Sequence, residues 1–451
     1  MSAEPPAAKH AAGKLGFGMT VALVVGNIIG SGVYLVPASL APYGRNSLSA
    51  WLFTAAGAIV LAVVFAALAR SLPAEGGLYA YTRTAFGELA GFVVAWGYWV
   101  AIWVGNAAIA TGAVSYTSVV APWIVSVPGA SVLATLALVW LLTLVNCFGV
   151  RAAGWVQVVT TVLKLVPLVA IGLVGLFFVR GDLVTAHAGI PLSLDATTAA
   201  ATLTLWALLG LESATVPADK VRDPARTIPR ATLAGTLVSA VACAVSCSIV
   251  LVLVPQAKLA SSNAPYADAA LVLFGPGTGT LVALFAAISA AGALNGWILL
   301  QGELPTALAR DGLFPKRFAR VSRRGAPVLA LVSTSLLVSG LVLMNFHKSL
   351  VEVFTFMILL STTATLVAYL ACSLSLLVLL RRGRVASRHT AWLAGAAALG
   401  ALYSLWAIAG AGRGAVLWGA VLILASLPVY ALMRAGAASR ADLTAPVRSD
   451  S

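Results

Sequence analysis

The sequence predicts an all-α integral membrane protein of about twelve transmembrane helices. Hydrophobic residues make up 61% of the 451-residue chain and charged residues only 9%, a balance that excludes a soluble globular domain. The apolar residues fall into successive runs of about twenty, the length needed to cross the hydrocarbon core. The net charge of +14 is distributed unevenly along these runs. With the amino terminus placed inside, every Lys and Arg falls on the inner side except Arg45, Arg180, Lys258, Lys348, Arg413 and the intramembrane Lys164. That asymmetry orients a membrane protein and makes nucleic acid an unneeded explanation for the charge.

Taken in order, the runs place spans near 15–41, 47–72, 88–116, 130–150, 153–179, 196–218, 231–254, 277–303, 326–345, 350–380, 390–411 and 414–434. Residues 1–14 are polar and basic and lack a small-residue cleavage site after the first run, so a removable signal peptide is not expected. The segments from Glu75 to Gly87 and from Asp311 to Arg324 read as amphipathic, consistent with short interfacial helices. Residues 435–451 read as a disordered cytoplasmic tail. Cys147, Cys243, Cys247 and Cys372 all lie in apolar runs and read as small buried side chains, not as bridges or metal ligands.

Two spans are irregular. Gly26-Asn27-Ile28-Ile29-Gly30-Ser31-Gly32 interrupts the first, where each interior Gly costs roughly 1 kcal/mol relative to Ala. A helix broken at membrane depth is tolerated where its freed backbone groups line a cavity or meet protein. Its N–H groups can hold an anion and its carbonyls a cation, as both ends of an amino acid require. The competing reading is a Gly-rich packing face. Trp206-Ala207-Leu208-Leu209-Gly210-Leu211-Glu212 interrupts the sixth span, and two breaks at corresponding positions of two halves point to an inverted repeat with a midplane site.

Ionisable groups within spans are functional candidates by default. Glu212 suits a proton-linked gate, or else is a helix-end carboxylate. Lys164 could carry a proton or replace a metal ion, or else is an ammonium pinned to carbonyls. Tyr98, Trp99, Trp103 and Asn106 lie on the third span, Trp99 and Trp103 on one face. Trp206 and Trp297 sit away from the interface where Trp usually collects, and indole faces attract cations. The competing reading of each is packing. An enzyme is not expected, since His10, His187, His347 and His389 all lie in tails or loops and no nucleophile–base pair is evident. No cofactor or metal is expected.

The blocks GNIIGSGVYLVPASLA, GYWVAIWVGNAA, TLWALLGLESATVPADKVRDPARTIPRAT and NGWILLQGELPTALARDGLFPKRFARV resemble the basic amino acid/polyamine antiporter branch of the amino acid-polyamine-organocation superfamily, and look most like arginine/agmatine antiporters. The resemblance implies a five-plus-five inverted repeat of the LeuT type with helices 1 and 6 broken. The repeats would span 15–179 and 196–380, with two last helices at 390–434. It implies an alternating-access antiporter of the bacterial inner membrane, both termini cytoplasmic, taking an amino acid or amine, and it suggests a homodimer. The alternative is a proton-coupled permease for neutral or cationic amino acids.

Carried over, Ser31 and Gly32 would bind the substrate carboxylate, and the carbonyls of Ile28, Trp206 and Leu209 the α-amino group. Asn106, Ser361 and the backbone at Ala101 and Ile102 would face the side chain. Trp297 would stack on a guanidinium, Trp206 would close over the ligand, and Tyr98, Glu212 and Tyr369 would form the inner gate. Ile102 and Ile109 depart from the arginine/agmatine pattern, which has a cysteine and a methionine there. Lys164 departs too, and resembles proton-coupled, ion-independent permeases of the same superfamily.

Overall fold

A computed structural model describes residues 15–30, 32–73, 77–148, 151–178, 190–215, 218, 221–345, 347–385 and 388–444, except for the side chains of 151–162 and 436–444. Among the described residues nine helices are long and apolar enough to cross a membrane. The fifth, sixth and ninth expected spans complete the set in shorter form. The fifth is the helix Arg151–Gly175, with Leu163–Gly175 as its described apolar part. The sixth is broken after Leu194–Trp206, and the ninth is the 17-residue Val328–Met344.

The first span consists of Phe17–Ile28 and Gly32–Leu40, the second of Asn46–Ser71, the third of Glu88–Thr117 and the fourth of Ala130–Cys147. The seventh is Pro224–Leu253, the eighth Thr278–Arg310 and the tenth Leu350–Arg381. The tenth opens on a capping box, in which the Ser349 hydroxyl accepts from the Glu352 N–H while the Glu352 carboxylate accepts from the Ser349 N–H.

The packing repeats itself five spans apart. The first span packs on the seventh as the sixth packs on the second, and the third packs on the tenth as the eighth packs on the fifth. The second meets the seventh, the third the eighth and the fourth the ninth, each pair mapping onto itself. Even the connecting helices correspond: Leu78–Phe86 lies between spans two and three and touches the tenth, while Pro265–Phe274 lies between spans seven and eight and touches the fifth. This is the five-plus-five arrangement.

Because lipid is as apolar as leucine, close packing and interhelical hydrogen bonds hold such a bundle together, rather than exclusion from water. Thr54 and Thr204 share a hydroxyl bond of 2.6 Å between the second and sixth spans, and Thr143 and Ser335 one of 2.7 Å between the fourth and ninth. Outward, Leu133, Leu141, Leu417 and Trp418 are exposed on helices of the periphery, an apolar surface suited to lipid.

Two expectations need correction. Asp311 to Arg324 forms only a 3₁₀ turn, Lys316–Ala319, because Gly312 and Gly325 at positive φ and Pro315 interrupt any longer helix. The tail expected to be disordered from 435 is helical through Thr444, continuing the helix Ser426–Thr444. Residues 1–14 and 445–451 lie outside the described residues. Cys243, Cys247 and Cys372 are buried and free, whereas Cys147 is half-buried.

Candidate functional site: a chamber between two broken helices

A helix leaves its last carbonyls without partners, so each interruption needs substitutes. In the first span the helix ends at Ile28. The Ile29 N–H donates to the Val25 carbonyl at 2.9 Å, the Gly30 N–H donates to the Ile28 carbonyl at 2.8 Å, and the Gly26 carbonyl accepts from Lys164 Nζ. In the sixth span the helix ends at Trp206, the Leu209 N–H turns back to the Trp206 carbonyl at 3.3 Å, and Gly210 adopts φ 104°. A Cβ at Gly210 would stand 3.1 Å from the Asn27 carbonyl and 3.3 Å from the Ile28 nitrogen. The two interruptions therefore abut backbone on backbone, which only glycine permits.

Beside this contact lies a chamber. Its broken-helix wall includes Asn27, Ile28, Gly30, Gly32 and Leu209, and the third span supplies Tyr98, Ala101, Ile102, Gly105 and Ile109. Trp206, Glu212, Trp297, Ser361 and Thr365 complete it. Most of the expected residues thus face one space. Ser31 lies outside the described residues. Asn106, Tyr369 and Lys164 do not line the chamber. Asn106 turns toward the eighth span and donates to Gln301 Oε1 at 2.7 Å. Trp99 and Trp103 also lie off the chamber wall, Trp99 donating to the Gln301 carbonyl at 3.2 Å.

Trp206 is wedged into the chamber wall. Its indole is seated between two glycines: a Cβ at Gly32 would come 2.2 Å from Nε1, and one at Gly105 2.9 Å from Cη2. The indole N–H has no hydrogen-bond partner among the described residues. Ile109, already singled out as a departure from the arginine/agmatine pattern, is on the wall, together with Gly105 and Thr365, which the reading of motifs missed. The helical register from Tyr98 through Ile102, Gly105 and Ile109 carries the signal for the first two, whereas Thr365 shows only as one turn beyond Ser361.

At one end the fully buried Glu212 is held from two sides. Tyr98 donates to its Oε1 at 2.6 Å and Tyr369 donates to its Oε2, so spans three, six and ten are joined through one carboxylate. Behind the chamber, Lys164 is also fully buried; its carbonyl accepts from Tyr34, whose own carbonyl accepts from Tyr116 at 2.7 Å. The Tyr116 hydroxyl in turn accepts from the Tyr266 N–H at 3.1 Å. Lys164 thereby ties the fifth span to the end of the first helix segment. Among the described residues no cluster of His, Cys, Asp or Glu could hold a metal ion.

The family model described as amino acid permease matches residues 15–438. The putrescine transporter PotE of Escherichia coli is 31% identical over 431 residues, covering 93% of this chain and 96% of its own. A cadaverine/lysine antiporter of the same organism is 34% identical over 344 residues, covering 74% and 76%. Among solved structures, the manganese transporter of Eremococcus coleocola aligns with a TM-score of 0.58 over 96% of both chains at 14% identity, a likeness of fold alone. Interrupted first and sixth spans, a chamber between them and matches along nearly the whole sequence make this chain a member of the amino acid permease family, in the basic amino acid/polyamine antiporter branch of the amino acid-polyamine-organocation superfamily.

Proposed function

We propose that the protein is a secondary amino acid/amine antiporter that works by alternating access, exchanging substrates at one site in the manner of arginine/agmatine antiporters. The observation that carries this reading is the contact of Gly210 with Asn27 and Ile28 beside a chamber walled by both broken helices. In this reading the N–H groups at Ser31 and Gly32 receive a carboxylate, and the carbonyls of Ile28, Trp206 and Leu209 receive an ammonium. Trp206 covers the ligand, Trp297 forms a shelf beside it, and Tyr98, Glu212 and Tyr369 close the inner gate. The transport activities named for the relatives support the same class. The Lys and Arg distribution supports placement in the bacterial inner membrane with both termini cytoplasmic. Purified protein in liposomes should take up labelled amino acid faster when amino acid or amine is loaded inside. Absence of counterflow with every amino acid and its amine would reject the proposal.

A second reading, a proton-coupled permease, draws on the burial of Glu212 and Lys164 beside the chamber. Uptake into empty vesicles driven by an acid-outside gradient would favour it.

A further inference from the structure

We infer that the chamber is built for an amino acid with an uncharged, apolar side chain. The inference rests on the single-site reading above and narrows it to a substrate class that the named relatives do not indicate. If the broken-helix wall holds the carboxylate and amino group, the side chain must lie against the opposite wall. Beyond the broken-helix wall the lining is apolar at Ala101, Ile102, Gly105, Ile109, Trp206 and Trp297 and polar at Tyr98, Glu212, Ser361 and Thr365.

A distal ammonium or guanidinium there would need acceptors, because a cation removed from water is destabilised unless paired and hydrogen-bonded. The donors of the polar side chains near this wall are directed elsewhere, and Asn106 Oδ1, which has no hydrogen-bond partner among the described residues, is buried off the chamber wall. Asn106 donates to Gln301 Oε1 at 2.7 Å, Gln301 Nε2 donates to Ser335 Oγ at 2.9 Å, and Ser335 pairs with Thr143 at 2.7 Å. This relay turns the carboxamide toward the eighth span, and Asn106 is absent from the chamber wall although its neighbour Gly105 is part of it. The Ser361 hydroxyl donates to the Ala101 carbonyl at 2.7 Å, and the Thr365 hydroxyl donates to the Ser361 carbonyl at 3.0 Å.

The chamber's carboxylate, Glu212, already accepts one phenol on each oxygen. Indole faces attract a cation, but more weakly than its lost hydration holds it in water. An aliphatic or aromatic side chain meets Ile102, Ile109 and the two indoles with no such penalty. Gln301 is the positioning residue that withholds Asn106 from the chamber.

The test uses the full-length protein in liposomes, each set loaded with the unlabelled form of the substrate being assayed. Uptake of labelled L-leucine, L-methionine and L-phenylalanine is compared at equal concentration with that of L-lysine, L-ornithine and putrescine. The neutral set is expected to exchange at least tenfold faster. Lysine, ornithine or putrescine exchanging as fast as leucine overturns the inference while leaving antiport intact. If none of the six exchanges, the transport reading fails, and thermal stabilisation of the detergent-solubilised protein decides the chamber separately: a shift with leucine and none with lysine supports the assignment, and no shift with either overturns it. Gln301→Ala, which frees Asn106, is expected to narrow the neutral-to-cationic ratio at least threefold. An unchanged ratio in a variant that still exchanges leucine overturns the role given to Gln301.

Discussion

Gly32 lies so close to the Trp206 indole that a methyl group there would stand 2.2 Å from Nε1 and 2.7 Å from Cδ1. The first broken helix is thus the seat on which the sixth helix rests its largest side chain. Gly32→Ala must displace either the indole or the interruption itself. Overpacking of this kind costs about 1–3 kcal/mol, and exchange is expected to fall about tenfold or more, as 1.4 kcal/mol per decade implies. Counterflow in liposomes and a melting curve on the same preparation check it; wild-type exchange in Gly32→Ala would remove Trp206 from the transport cycle.

Glu212 joins three spans through Tyr98 and Tyr369. Glu212→Gln keeps the shape but removes a titratable group, so the pH profile of exchange should flatten while substrate still stabilises the protein thermally. A profile unchanged in shape would place the proton dependence elsewhere.

Removing one phenol is a smaller perturbation. Tyr369→Phe leaves a buried carboxylate oxygen with one donor fewer, at about 1–3 kcal/mol, so its melting temperature should drop although Tyr98 remains bonded. Equal melting temperatures for Tyr369→Phe and wild type would count against the three-way junction.

Lys164→Met deprives the Gly26 carbonyl of its donor in a dry interior. Loss of about 1–3 kcal/mol is expected, together with slower exchange, because the end of the first helix segment loses its tie to the fifth span. Melting and counterflow measured together would show both losses, and neither is expected if the lysine is incidental.

Trp297→Ala removes part of the wall opposite the broken helices. Half-saturation concentrations for leucine and phenylalanine should rise about tenfold, in line with roughly 1–3 kcal/mol for lost pocket contacts, while alanine should change little. A uniform rise across all three would place Trp297 away from the side chain.

Much of this was legible before any coordinates. The glycines at 30, 32 and 210 marked the interruptions because a helix tolerates them poorly, and Glu212 stood out because charge is rare at membrane depth. What escaped the sequence reading is what depends on partners distant in the chain. Gln301 sits in an apolar run with nothing to announce that it would take Asn106 out of the chamber wall. Tyr34, Tyr116 and Tyr266 come from three separate elements, and only the fold brings Tyr34 edge-on to the other two rings with its hydroxyl on the Lys164 carbonyl. The helix expected after Asp311 is absent for a local reason, since Gly312 and Pro315 break an otherwise amphipathic spacing.

The direct seating of Gly210 on the Asn27–Ile28 peptide leaves no slack between the two interruptions. Any displacement of one interruption must therefore press on the other, so the backbone groups of both shift together. Gly210→Ala, which adds both a tight Cβ contact and an unfavourable backbone angle, should then disturb the two interruptions together and not the sixth span alone.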